Sequence, residues 1–142
     1  MYPGKYAEQN PDRSAFVMAA TGERVSYQEF EARSNRVAHY LADEGLGFQD
    51  HYSIFMENNN RYLESCAAGE RSGLYFTCIN SFLTSDELAY IINNSESQIL
   101  ITSMSKLEAA QEALAQCTAI KEVLVVGAGD ADLPQGMSDF ES

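Results

Sequence analysis

From Tyr52 onward, short runs of β-branched and aromatic residues alternate with stretches of helical periodicity, and this alternation limits the possible folds more than any other feature. Tyr52-Ser53-Ile54-Phe55-Met56, Phe76-Thr77-Cys78-Ile79, Gln98-Ile99-Leu100-Ile101-Thr102 and Glu122-Val123-Leu124-Val125-Val126 read as strands. The segments between them repeat apolar residues at helical spacing over roughly ten residues or more. Strands joined by helices run parallel with right-handed crossovers, and a parallel sheet must be covered on both faces. The expected fold class is therefore α/β: a doubly wound, mainly parallel sheet with helices on both faces.

An N-terminal β-hairpin precedes this body. Residues 15–20 and 24–26 read as short strands joined around Thr21-Gly22-Glu23. Helix starts are marked by side chains able to satisfy unpaired amides. Ser26 with Glu29, and Thr84 with Glu87, have capping-box spacing. Asn58, Asn59 and Asn60 are cap candidates for a helix ending near Gly73, and Ser105 with Glu108 is expected to open the last helix. Leu107, Ala110, Leu114 and Cys117 then face inward, and Tyr27 and Tyr90 are assigned to the core. Residues 1–126 form the α/β subdomain in this reading. The Gly, Asp and Pro stretch 127–142 is an acidic loop or linker.

Charge excludes some partners. Nine Lys and Arg against twenty-one Asp and Glu give a formal net charge of -12, a field that repels phosphate backbones, so no nucleic-acid partner is expected. No apolar run approaches the ~20 residues needed for a membrane span, and the first residues lack a signal-peptide core, so the expected location is cytoplasmic. Cys66, Cys78 and Cys117 are odd in number, widely spaced and set among apolar residues, which predicts buried thiols. With His39 and His51 at no metal spacing from a cysteine, no metal site is expected.

Ligands of doubly wound sheets collect beyond the carboxyl ends of the strands. Here that means the turns at Glu57-Asn58, Asn80-Ser81 and Thr102-Ser103. Asn80 and Ser81 are the candidate substrate-side residues, although Asn is also a favoured turn residue and can serve the strand-to-helix turn alone. Gly127-Ala128-Gly129 follows a strand but lacks the third glycine of a dinucleotide loop, and Pro134 interrupts any helix after it. No Gly-x-Ser-x-Gly elbow is present, and no catalytic nucleophile is assigned.

Several of these stretches, in this order, resemble the acyl-CoA synthetase, luciferase and peptide-synthetase adenylation superfamily, and most closely its fatty-acid and aryl CoA ligases. Pro11-Asp12-Arg13-Ser14-Ala15 is similar to the family's entry. Glu23-Arg24-Val25-Ser26-Tyr27-Gln28-Glu29-Phe30 is similar to its first core motif, and residues 32–38 continue it. Arg71-Ser72-Gly73-Leu74-Tyr75 and Ile79-Asn80 resemble the second core motif, followed by Leu83-Thr84 and Glu87-Leu88-Ala89-Tyr90-Ile91. Two departures stand out. Phe48-Gln49-Asp50 occupies the place of a usual Gly-Asp pair, and Tyr52-Ser53 that of two small apolar residues.

The resemblance implies the N-terminal segment of an AMP-forming acyl-CoA synthetase. Such enzymes use ATP, Mg and CoA to convert a carboxylic or fatty acid to acyl-CoA, AMP and pyrophosphate. Members hold ATP with a Ser, Thr and Gly loop followed by Lys, because backbone amides and a cation must cradle the triphosphate. Lys5, Lys106 and Lys121 are the only lysines here and none follows such a loop. The expectation is a chain that holds no cofactor and is inactive alone. Its partner would be the remainder of a synthetase, or a second copy through exposed apolar surface. Two rival readings are a free-standing α/β binding or regulatory module and a flavodoxin-type flavin binder.

Overall fold

In a computed structural model, which describes residues 2–142, the helix-start signals act as the sequence predicts. The Ser26 hydroxyl accepts from the Glu29 amide at 3.2 Å while the Glu29 carboxylate accepts from the Ser26 amide at 2.8 Å, opening α2 (Tyr27–Asp43). Thr84 and Glu87 repeat the exchange, at 3.4 and 2.9 Å, at the start of α4 (Ser85–Asn94). Each reciprocal pair satisfies two amides that the first helical turn leaves without intrahelical partners.

The chain divides into two units. The first comprises Met1–Phe48 and Asn58–Leu74. It holds α1 (Gly4–Gln9), the antiparallel hairpin of β1 (Ser14–Val17) and β2 (Arg24–Ser26), α2 and α3 (Tyr62–Ser72). Along α2, Ser34, Val37, Ala38 and Leu41 are buried at helical spacing, and Ala67 and Ala68 are buried on α3. Small side chains there let the two helices pack closely. Glu64, almost fully buried on α3, is held by Arg61 at 3.2 Å and Arg33 at 3.4 Å. Burial pushes its carboxyl above the usual range, outweighing the pull of the two arginines in the opposite direction. α3 ends at Gly73, whose φ of 68° is the left-handed conformation, and a Cβ there would lie 2.6 Å from the Phe48 ring. Only glycine fits.

The second unit comprises Gln49–Glu57 and Tyr75–Ser142. It contains β3 (His51–Phe55), β4 (Tyr75–Cys78), α4, β5 (Ile99–Ser103), α5 (Leu107–Leu114), β6 (Glu122–Val126) and β7 (Met137–Asp139). The strands lie side by side in the order β4-β3-β5-β6-β7, and all four pairings are parallel. The chain enters at β3, steps out to β4, returns past β3 to β5 and continues outward, so its winding direction reverses at β3. This is the expected doubly wound α/β sheet, flanked by helices, with the hairpin preceding it. Phe55, Leu100, Val123 and Val125 share one face and pack with Leu88, Ala89 and Ile92 of α4 and Ala110 and Ala113 of α5. Tyr52, Ile54, Ile99, Ile101 and Leu124 point the other way and are buried as well. Full burial of one such Leu or Ile side chain contributes about 1.5–3 kcal/mol.

Several expectations fail locally. The stretch 127–142, expected as a loop or linker, contains β7, which pairs with β6 as an edge strand of the sheet. Ser105 does not cap α5; residues Met104–Lys106 form a 3-10 turn and the helix begins at Leu107 with no side-chain cap. The helix after β3 starts from Arg61, also without a side-chain cap, although the Asn59 side chain accepts from the Arg61 amide at 2.9 Å. Tyr90, placed in the core by periodicity, is 69% exposed. All three cysteines are thiols, but Cys78 is exposed because its strand is at the sheet edge, and Cys66 and Cys117 are half-buried. The Tyr52-Ser53 departure is accommodated: both residues are fully buried, and the Ser53 hydroxyl lies 2.6 Å from that of Ser97. Among the described residues, no helix is long and apolar enough to cross a membrane.

Candidate ligand site at the carboxyl edge of the sheet

In a doubly wound sheet the crevice for a ligand opens where the winding reverses, beyond the carboxyl ends of the two strands that diverge there. Here those strands are β3 and β5. Their ends are tied together by polar side chains. The Thr102 hydroxyl donates to the Phe55 carbonyl at 2.7 Å. Oε2 of Glu57, two residues past β3, accepts from Ser103 Oγ at 2.5 Å and from Ser105 Oγ at 2.6 Å. Ser105 does not cap a helix; it lies within the 3-10 turn Met104–Lys106, and its hydroxyl donates to the Glu57 carboxylate.

The chemistry of this cluster follows from proton counting. Each hydroxyl spends its proton on Glu57, so the 3.1 Å approach of Ser103 Oγ and Ser105 Oγ brings two acceptor oxygens together. Carboxylate and hydroxyl oxygens are thus gathered at the point where β3 and β5 end. Ser103 is buried and Ser105 exposed, which leaves the cluster reachable from one side.

The sequence-based candidates Asn80 and Ser81 lie in the turn after β4. Asn80 serves that turn. Its Oδ1 accepts from the Phe82 amide at 3.0 Å and its carbonyl from the Leu83 amide at 3.2 Å. Phe82, which sequence reasoning passed over, is 89% exposed, and Lys106 Nζ sits 5.2 Å from its ring centroid. Since β4 and β5 flank β3, this contact joins the turns on either side of the β3 carboxyl end. A Phe directly after an Asn-Ser turn was the available signal.

The second unit is poorly furnished for a triphosphate. The second unit has no arginine and two lysines against twelve Asp and Glu. Of the two, Lys121 donates to Gln98 Oε1 at 2.6 Å and Lys106 lies over Phe82. Neither stands behind a glycine-rich loop. In the first unit, an open depression of about 320 Å³ is lined by Asn35, His39, Asp43 and Arg71. Its one guanidinium is already engaged by Glu31 and, at 2.8 Å, by Asn35. Among the described residues, no group of three or more His, Cys, Asp or Glu is placed to hold a metal ion.

Comparison with known proteins agrees with the motif order. The chain is 27% identical over 122 residues to a medium/long-chain-fatty-acid–CoA/3-oxocholest-4-en-26-oate–CoA ligase of Mycolicibacterium smegmatis, covering 86% of this chain and 22% of that protein. It is 30% identical over 119 residues to a 3-oxocholest-4-en-26-oate–CoA ligase of Rhodococcus rhodochrous, covering 84% and 21% respectively. The chain thus spans about a fifth of the length of these curated relatives. A mutant form of coronafacic acid ligase from Pectobacterium brasiliense shares the fold, with a TM-score of 0.88 at 19% identity over 98% of this chain and 27% of that one. The family model for AMP-binding enzyme matches residues 4–141, so nearly every residue of both units falls within it, and the chain belongs to the AMP-binding enzyme family.

Proposed function

We propose that this chain supplies the N-terminal α/β portion of an ATP-dependent acyl-CoA synthetase, which joins a carboxylic or fatty acid to CoA with release of AMP and pyrophosphate. The observation that carries the reading is the family match over residues 4–141, together with curated relatives that are CoA ligases. Within such an enzyme these residues act as scaffold, and the carboxyl edge of the sheet presents Glu57, Ser103 and Ser105 towards the substrate side.

ATP, Mg and CoA are held by residues other than these 142 in this reading, because the acidic second unit offers a triphosphate neither a run of backbone amides nor a spare cation. The isolated chain is therefore not catalytic. Acid-dependent exchange of labelled pyrophosphate into ATP is the direct assay, with a panel of fatty and aromatic acids. No exchange above a protein-free blank is expected, and exchange that needs both chain and acid overturns the proposal.

A further inference from the structure

We propose that the depression between α2 and α3 binds a small elongated zwitterion, with a carboxylate at its Arg71 end, an alkyl stem over Ala38 and Ala42, and an ammonium at Asp43. All of these residues belong to the first unit, and their role there does not depend on the synthetase reading. The depression holds about 320 Å³ and is bounded by the C-terminal turns of both helices. From Asn35 to Asp43, its lining on α2 keeps the spacing that brings residues to one face of a helix. Arg71 and Ser72 close it from the end of α3.

Each end has its own chemistry. The Arg71 side chain is only 10% exposed. Its Nη1 donates to Asn35 and its Nη2 to Glu31, but its Nε, also buried, donates to nothing. A guanidinium with an unused N–H is a donor for a carboxylate oxygen. The Ser72 hydroxyl, engaged by no other described residue, supplies a second donor from the next position. At the opposite end the Asp43 carboxylate is likewise engaged by no described residue. The last turn of α2 carries no basic side chain to offset the partial negative charge of its carbonyls, so an ammonium is favoured twice over. Between the ends, Ala38 and Ala42 offer only methyl groups. Asn35, which anchors Arg71, and Asp43 are eight residues apart on the helix, or about 12 Å along its axis. That span is too long for an α-amino acid, whose charges are adjacent, and suits an acid and an amine separated by several methylenes.

The probe is 6-aminohexanoate, titrated into the full chain while the imidazole proton signals of His39, which also lines the depression, are followed by NMR. His51, the chain's other histidine and a residue of the second unit, is the control. The expected result is a saturable shift at His39 and none at His51. Hexanoate and pentylamine, each lacking one of the two charges, should bind at least about tenfold more weakly. Asp43→Asn should weaken 6-aminohexanoate by a similar factor. Ala42→Leu, which fills the middle of the depression from an exposed helical position, should abolish the shift. Circular dichroism melts check that both variants fold. No saturable shift at His39, or the same titration in wild type and Ala42→Leu, overturns the site. Hexanoate or pentylamine binding as tightly as 6-aminohexanoate overturns the two-ended recognition.

Discussion

Gln49 has a φ of 69°, inside the left-handed region, in the turn that leads into β3. A side chain in that conformation costs about 1–2 kcal/mol, because the Cβ crowds the following carbonyl. The Gln49 side chain is exposed, so its removal loses little packing. Substituting Gly releases the strain but adds freedom to the unfolded chain worth about 0.5–1 kcal/mol. The net expectation for Gln49→Gly is a gain of roughly 0.5–1 kcal/mol. Gln49→Ala retains the Cβ and should change stability by less than about 0.5 kcal/mol. With a urea slope of about 1.5 kcal/mol per molar, the glycine variant should melt about 0.3–0.7 M later. The chain has no tryptophan, so far-UV circular dichroism is the suitable probe. Glu96, with a φ of 55°, provides an independent check, and Glu96→Gly should move the midpoint the same way. If both glycine variants melt earlier than wild type, as at ordinary loop positions, the left-handed turns and the strain assigned to them are refuted.

Further outcomes follow from the caps and the buried charge. Ser26→Ala and Thr84→Ala should each lower stability by ~1 kcal/mol in urea melts, with glycine at the same positions costing less. Hydrogen bonds from the cap residues hold the Glu29 and Glu87 carboxyls below their usual range, so the stability they contribute is present above about pH 4.5 and lost as pH falls through the depressed values. The two Ala variants lose the hydroxyl but keep the backbone amide donor and should weaken that acid sensitivity only in part, whereas Glu29→Gln and Glu87→Gln should abolish it. Glu64 works in the opposite sense. Its raised carboxyl makes the folded state bind more protons, so its contribution falls as pH rises from about 4.5 through the folded value. Glu64→Gln should flatten that decline in a pH series of melts, and an unchanged slope would show that the carboxyl titrates normally.

The parts of the fold that could be read from the sequence are those where local chemistry and tertiary packing agree. Both capping boxes formed as spaced, and Gly73 ended α3, because the amides and the left-handed φ they serve are local demands. The parallel order followed from the alternation of strands and helices. What could not be read depended on distant partners. Ser105 had the spacing of a cap, but it lies within the 3-10 turn Met104–Lys106 and its hydroxyl is turned to Glu57, forty-eight residues away. β7 is hidden in a Gly, Asp and Pro stretch because an edge strand of three residues needs only β6 beside it and little propensity of its own. Tyr90 and Cys78 carry apolar character at regular spacing yet stand in the open, since periodicity marks a face without saying whether anything covers it. At the carboxyl edge, Asn80 was legible as a turn residue. The Glu57, Ser103 and Ser105 cluster was not, because its members come together only once β3 and β5 pair.

The central claim is that these 142 residues are an interchangeable scaffold of an acid–CoA ligase. It is tested most directly by placing them in the Rhodococcus rhodochrous 3-oxocholest-4-en-26-oate–CoA ligase in place of the segment they match, and measuring AMP formation with that acid, ATP and CoA. Acid-dependent AMP formation by the folded chimera is the predicted result. A chimera that folds and melts cooperatively but forms no AMP would contradict it.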